Sequence, residues 1–194
     1  MSAHANAART FVSLDGDAFR NTMGAALPAT LLGAPAAPWL PYGGVSAGFD
    51  VTPEQSSTDF TIWNAPGTYR SVPGDRITRV AFTPVDATEA SVMTRLRGGG
   101  VDAVDGADDV YEWNEQEAAE EFALILDSRD GGKHVRFWFP RVVLDTLPPE
   151  SHKRDALTDF AFTCKVLAHP DAPVTGYRKL SNFDPTAAIA GAGA

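Results

Sequence analysis

Four aspartates lie close together just after a run of three glycines: Asp102, Asp105, Asp108 and Asp109. Carboxylates grouped in one loop are the ligands that calcium prefers, so this loop is the best candidate for a metal site in the chain. Its spacing does not match an EF-hand loop, whose acidic ligands occupy alternate positions and precede a bidentate glutamate. We therefore interpret the segment as a solvated acidic loop and predict no metal site.

The other reactive side chains do not form a catalytic pattern. Gly98-Gly99-Gly100 is not followed by the Gly-Lys-Ser/Thr of a phosphate loop. Ser151-His152-Lys153 are adjacent in sequence, and adjacent residues rarely converge on one atom. Four glutamates are interpreted as a solvated turn before a strand: Glu115, Glu117, Glu120 and Glu121. The four histidines have no zinc-ligand spacing: His4, His134, His152 and His169. We predict a protein without catalytic residues or a cofactor, and not an enzyme.

Charge and composition limit the classes of partner. The chain has 16 basic and 25 acidic residues and a net charge of -9, which argues against a protein that grips nucleic acid. A surface past which DNA must slide without sticking would favour the same sign of charge. No apolar stretch approaches the roughly 20 residues of a membrane helix, and the N-terminus lacks a signal-peptide pattern. Cys164 is the only cysteine, which excludes an internal disulfide, and its strand position predicts a core residue.

Alternating apolar residues predict three long strands over residues 120–130, 133–144 and 155–168, the first two joined by an Asp-Gly-Gly turn. Strands of this length, with one apolar and one polar face, favour a wall or tube over a compact pocket. The predicted buried face contains Phe122, Leu124, Leu126, Val135, Phe137, Phe139, Phe160, Phe162, Cys164 and Val166.

One helix is predicted over residues 87–97. Asp86 is its expected N-cap, Glu89 follows as in a capping box, and the three glycines from Gly98 end it. A single helix beside many strands predicts a mainly-β domain with one flanking helix.

Two segments rich in proline and glycine are expected to lie outside the regular core. Residues 27–44 contain four prolines and predict an extended arm. Short strands are expected over residues 45–52 and 57–63, followed by a protruding loop or hairpin tip over residues 64–76. The tip residues expected to contact a neighbouring subunit are Asn64, Pro66, Gly67, Tyr69, Arg70, Pro73 and Gly74.

Trp138 stands on the opposite face of its strand from Phe137 and Phe139, beside Arg136. An aromatic residue on an otherwise polar face indicates a second packed surface. The flanking helix could cover that face, or a neighbouring subunit could, because interfaces favour Trp and Arg. Arg136 and Trp138 are therefore candidate subunit-interface residues.

The order of these features resembles the major tail proteins (tail tube proteins) of long, non-contractile-tailed bacteriophages, or siphophages. The resemblance covers roughly residues 45–170 and lies in the order of segments rather than in a signature motif. Its segments are Gly44-Val-Ser-Ala-Gly-Phe49, Phe60-Thr-Ile-Trp63, Val80-Ala-Phe-Thr-Pro-Val-Asp86 with the following helix, Tyr111-Glu-Trp113, the hairpin of residues 121–127 and 135–143, and Ser151-His-Lys-Arg-Asp155 running into Phe160-Ala-Phe-Thr163.

The resemblance implies a β-sandwich or partial barrel of long antiparallel strands with one flanking helix. It implies a structural virion protein, made in the host cytoplasm, whose hexameric rings stack into a hollow tail through which DNA is delivered. Tape measure, tail terminator and distal tail proteins would be its partners, and DNA would pass without specific binding. The expected organisation is an arm (residues 1–44), a tail-tube domain (45–170) and a C-terminal extension (171–194).

Two alternatives stay open at this stage. The chain could form the inner tube of a contractile tail or secretion apparatus, or it could be a soluble β-sandwich that binds a ligand or calcium. In a tube, an acidic lumen is expected, because fixed cations on the wall would trap phosphates. Its candidate residues lie on the polar faces of the hairpin strands and in the acidic loop, at Asp102, Asp105, Asp108 and Asp109.

Overall fold

Ten strands and one helix make up the computed structural model, which describes residues 10–149, 154, 159–173 and 175–184. Strands hold 53% of the residues and helix 4%, so the predicted mainly-β fold with one helix is confirmed. The elements are β1 (Asp15–Thr22), β2 (Leu40–Pro41), β3 (Val45–Ile62), β4 (Ala65–Pro84), α1 (Glu89–Arg95), β5 (Gly100–Ala103), β6 (Tyr111–Asn114), β7 (Glu121–Asp130), β8 (Lys133–Thr146), β9 (Phe162–Val166) and β10 (Arg178–Ser181).

Eight strands form one antiparallel sheet in the order β2-β1-β7-β8-β9-β4-β3, with β10 paired to β8. β9 and β10 share one edge of β8, β9 at Val142–Thr146 and β10 at Val135–Trp138. The sheet does not close into a barrel, so it is a sandwich-like, open structure. β5 and β6 form a separate two-stranded hairpin.

The core lies on both faces of β7. The main cluster includes the predicted residues Phe122, Leu124, Leu126, Phe139, Phe162, Cys164 and Val166, joined by Tyr42, Val80 and Phe82. A second cluster covers the opposite face with Phe19, Trp39, Ala123, Ile125 and Trp138. The expectation of one polar face is therefore wrong for β7, because the proline-rich segment folds back over the face that was expected to meet solvent.

The predicted boundary between an arm and a domain at residue 44 is also wrong. β1 pairs with β7 along its whole length, from Asp15 opposite Arg129 to Thr22 opposite Phe122. Tyr42 is fully buried, with its ring edge-on to Phe82 at 5.0 Å between centroids. The first strand and the proline-rich segment thus belong to the same core as the later strands.

The C-terminal third departs from expectation in two places. The third predicted long strand is only Phe162–Val166, and residues 159–161 are not strand. β10 lies beyond the expected domain end at residue 170 and pairs with β8, so the sheet continues past that boundary. The remainder of the third run (155–158), Ser151-His152-Lys153, His4 and residues 185–194 of the expected extension lie outside the described residues.

The helix begins two residues later than predicted. Thr88 is its N-cap and accepts a hydrogen bond from the Ser91 amide at 3.3 Å. Asp86, the expected cap, instead accepts a hydrogen bond from the Gly44 amide at 2.7 Å. The helix also ends two residues earlier than predicted, at Arg95, and the first left-handed residue after its C-cap is Arg97, with a φ of 59°. Gly98 follows with a φ of 95°, and its amide donates to the Met93 carbonyl at 2.8 Å, so the glycine contributes to the cap but is not its first left-handed residue.

Candidate functional site

The most prominent surface feature is a two-stranded extension of the β3–β4 hairpin. β3 and β4 are paired antiparallel from Val45 opposite Pro84 to Ile62 opposite Ala65. β9 supports β4 only from Thr78 to Phe82. Residues 54–77 therefore form a free ribbon, called here the long ribbon, which extends about 25–30 Å from the sheet at roughly 3.3 Å per residue.

The strands of the long ribbon differ from those predicted from the sequence. The two short strands expected over residues 45–63 are one 18-residue strand, and β4 is 20 residues long. Two prolines, Pro66 and Pro73, lie in the ribbon, and its register is shifted near Gln55 and Phe60. These irregularities do not end the strands, because neither strand has a second neighbour there among the described residues that would need a proline N–H. Residues 64–76, predicted as a protruding loop or hairpin tip, do project, but only Asn64 lies in the turn and the others belong to β4. The predicted tip residues are Asn64, Pro66, Gly67, Tyr69, Arg70, Pro73 and Gly74. Each of them is exposed.

The end of the long ribbon has one apolar face. Phe60 is paired with Arg70, and Thr58 with Val72, so these four side chains share a face. The other face carries Asp59 opposite Ser71. Phe60 and Val72 are exposed on their face, and Trp63 at the turn is fully exposed. Two-stranded ribbons are marginally stable in water, and no other part of the described chain covers the apolar side here.

An ionic contact braces the base of the ribbon. Arg79 donates to Asp145 on β8 at 3.0 Å and to Glu54 on β3 at 2.5 Å. These hydrogen bonds raise the pKa of Arg79 above its ordinary value. Arg79 thus ties the ribbon to the main sheet at the point where β9 support ends.

The acidic loop belongs to a second projection. β5 and β6 form the acidic hairpin (residues 100–114), in which Asp102, Asp105, Asp108 and Asp109 are all exposed. Asp102 accepts a hydrogen bond from the Asn114 amide group at 2.8 Å. Within the described ranges, no three His, Cys, Asp or Glu side chains are grouped as metal ligands.

The acidic hairpin also has two unlike faces. Val101 is paired with Trp113 and Ala103 with Tyr111, so these four residues share a face. Asp102 is paired with Glu112 on the other face. Tyr111 and Trp113 are at least half exposed. The hairpin therefore presents an apolar face bordered by carboxylates.

Arg136 and Trp138 were expected at a subunit interface, and this assignment is wrong. Arg136 is 1% exposed and donates two hydrogen bonds of 2.6 Å to Asp127, which is itself fully buried. It also donates to the Thr30 and Gly33 carbonyls at 2.7 and 2.9 Å. Trp138 is 3% exposed and donates to the Ala25 carbonyl. Both side chains clamp the proline-rich segment onto the sheet within one chain.

His134 lies beside this clamp. Its Nε2 is buried and lies 3.6 Å from the Asp127 carboxylate, and it has no hydrogen-bond partner among the residues that the structure describes. Burial lowers the pKa of His134 below its ordinary value of 6.5, although the Asp127 charge acts in the opposite direction. The imidazole is therefore held neutral at pH 7.

A second buried network joins the helix to the sheet. Arg20 donates to Thr94 on α1 at 2.8 Å, pairs with Glu120 and lies 4.4 Å from the Phe122 ring centre. Tyr42 shares the Thr94 hydroxyl at 2.8 Å, and burial raises the pKa of its phenol. Glu120 is thus not a solvated turn residue, and Glu121 likewise pairs with Arg141 through two contacts of 2.7 Å.

One cavity of about 680 Å³ opens at the gap between β1 and β3. Its wall is mixed: apolar side chains, backbone and three charged groups. Two of these, Asp15 and Asp17, already pair with Arg129. The lining also includes Phe49, Leu126, Val135, Phe137 and Lys179.

Two further observations bear on the class of protein. Of the residues that the structure describes, no helix is long and apolar enough to cross a membrane. No protein-family model matches this chain, and no curated protein matches it.

Proposed function

We infer that the protein is a structural virion protein that forms the hollow tail tube of a siphophage. Its hexameric rings would stack, and DNA would pass through the channel to the host. The observation that carries this inference is the long ribbon, which leaves the sheet with both faces in solvent and with uncovered aromatic residues. Such a ribbon is expected to be covered by another subunit, because it does not cover its own apolar face.

The open sheet supports the same inference. Among the strands that the structure describes, β3 pairs only with β4, so it is an edge strand 18 residues long. Long exposed edges are templates for pairing with another chain. If each subunit adds strands to its neighbour through a head-to-tail contact, rotation about an axis closes a ring and leaves both rims free for stacking.

The acidic hairpin fits a channel wall or a rim. Its carboxylates would repel the DNA backbone and keep a hydrated gap, an effect screened beyond about 8–10 Å at physiological salt. Asp102, Asp105, Asp108 and Asp109 remain lumen candidates on this proposal. The tape measure, tail terminator and distal tail proteins would contact the ends or the lumen of the tube.

Shortening the ribbon tests this proposal. Residues 60–70 would be replaced by Asn-Gly, which joins the paired residues Asp59 and Ser71 through a two-residue turn. The shortened chain should keep its β-sheet circular dichroism and its unfolding midpoint but should not form tubes. Normal tubes from this variant would contradict the proposed role of the ribbon.

The cavity favours a second candidate, a ligand-binding β-sandwich. Its volume of about 680 Å³ lies within the roughly 300–1,000 Å³ of small-molecule sites. A ligand that binds only the native state must raise the melting temperature. A thermal-shift screen with small molecules, including calcium, therefore separates the two candidates, since a tube protein should show no shift.

A further inference from the structure

We propose that the end of the long ribbon docks, through Phe60, Val72 and Arg70, on the apolar face of the acidic hairpin of a second copy. The proposal rests on the proposed tube function, for which it names the acceptor of the ribbon. It also specifies a contact between unlike surfaces, which makes chains of subunits rather than closed pairs.

The acceptor is the face formed by Val101, Ala103, Tyr111 and Trp113. These residues alternate with Asp102 and Glu112, so one side of the hairpin is apolar and the other is charged. Tyrosine and tryptophan are enriched among the residues that contribute most of the binding energy at interfaces. Here Tyr111 and Trp113 are both at least half exposed. A two-stranded hairpin with a bare aromatic face gains stability when a partner covers that face.

The donor has the complementary pattern. Between Phe60 and Val72 the chain carries a single charged residue, Arg70, while the acidic hairpin carries five carboxylates and no Lys or Arg: Asp102, Asp105, Asp108, Asp109 and Glu112. Arg70 lies on the same face as Phe60 and Val72. Docking this face on the hairpin would bring the apolar side chains onto Tyr111 and Trp113. The guanidinium would then pair with the carboxylates of the turn, Asp105, Asp108 and Asp109, because Asp102 and Glu112 lie on the opposite face.

A second copy is the occupant that the structure favours. Trp63 at the ribbon end is fully exposed and Tyr111 on the hairpin is 61% exposed, so neither projection covers the other within one chain. The two surfaces are on every subunit, so each subunit can donate once and accept once. Repetition of this contact gives linear growth, which is the arrangement that stacked rings need.

The strength of one such contact can be bounded. The hairpin face offers two exposed aromatic residues, Tyr111 and Trp113. At about 150–250 Å² each they cover about 300–500 Å², which is less than the roughly 800 Å² per partner of a stable interface. A single docked ribbon is therefore weak, and a ring that docks several ribbons at once gains through effective concentration. Subunits should accordingly stay apart in dilute solution and associate cooperatively when concentrated.

Cysteine cross-linking between two single variants tests the contact. Thr58→Cys is on the apolar face of the ribbon and Ala103→Cys is on the apolar face of the hairpin, and neither removes an aromatic residue. The native Cys164 is fully buried and stays unreactive. Under a mild oxidant, the mixture of the two concentrated full-length variants should give covalent dimers, and each variant alone should not.

The opposite faces supply the matched control. A mixture of Ser71→Cys and Glu112→Cys should give few dimers, since these positions lie on the polar faces. Arg70→Glu in the Thr58→Cys chain should lower the dimer yield by about fivefold or more, and Arg76→Glu by less than about twofold. Both reversals change charge equally on the same exposed ribbon, so a folding defect would affect them alike.

Four results would each overturn the docking. They are no cross-link between Thr58→Cys and Ala103→Cys, equal cross-linking of the control pair, self-dimers of Thr58→Cys, and equal effects of the two charge reversals. Electron microscopy of the same samples separates this inference from the proposed function. Tubes without the cross-link would overturn the docking alone, whereas cross-linked dimers without tubes would support the docking and count against the tube.

Discussion

Replacing Arg136 by methionine should destabilise the fold strongly, because it leaves the buried Asp127 carboxylate without its ion-pair partner. Asp127 is fully buried, and its two oxygens accept their hydrogen bonds from Arg136. Breaking one partner of a buried ion pair costs about 3–5 kcal/mol. The Thr30 and Gly33 carbonyls also lose their donor, but these residues are exposed and water can replace it. The uncompensated charge therefore sets the magnitude.

The chain contains a matched control on the same two strands. Arg141 also binds a carboxylate with two contacts, those to Glu121 at 2.7 Å, but the side chains are 37% and 32% exposed. Exposed pairs contribute about 0.2–1 kcal/mol, so Arg141→Met should cost no more than about 1 kcal/mol. The two variants differ mainly in burial.

Urea denaturation at pH 7 and low protein concentration measures both losses, followed by circular dichroism and tryptophan fluorescence. The double variant Asp127→Leu/Arg136→Met removes both charges and should recover at least half of the loss. Equal losses for Arg136→Met and Arg141→Met, within about 1 kcal/mol, would refute the reasoning that burial of the pair decides its cost.

Two further outcomes are expected. His134 faces Asp127, Arg136 and Arg129, and its pKa is lowered in the native protein. Below about pH 6.5 the unfolded chain therefore binds a proton that the native chain does not, so the free energy of unfolding should fall as the pH drops. In urea titrations from pH 7.5 to 5.5, His134→Gln should lose this pH dependence. An unchanged slope in the variant would assign the acid sensitivity to other groups. Burial raises the pKa of Cys164 to about 12, so a disulfide reagent at pH 8 should label it only after unfolding. Rapid labelling of the native protein would contradict its core position.

Local pattern was enough to predict the β7–β8 hairpin and the existence of the helix, whereas β2, β5 and β10 were not predicted. Phe122, Leu124 and Leu126 are confirmed on one buried face because alternation is a local property of a strand. The end of α1 was predicted less closely, because the first left-handed residue after its C-cap is Arg97 and not Gly98.

The contacts that were missed all join distant parts of the chain. In the sequence, Arg136 has the pattern of a solvent-facing residue. In the fold it is buried, and two of its hydrogen-bond acceptors come from residues 30–33, more than 100 positions earlier in the chain. Arg20 is buried only because α1 and Glu120 surround it. Prolines suggested breaks in β3 and β4, whereas a free ribbon tolerates them because half of its N–H groups face solvent. The faces of the acidic hairpin, by contrast, could have been found from the alternation of Val101, Asp102 and Ala103.

Electron microscopy of the concentrated full-length protein tests the central claim most directly. We expect hollow tubes of stacked rings, whose end views show six-fold symmetry around an open channel. Rings of three-, four- or five-fold symmetry, or a protein that stays monomeric at every concentration with its long ribbon in solvent, would contradict it.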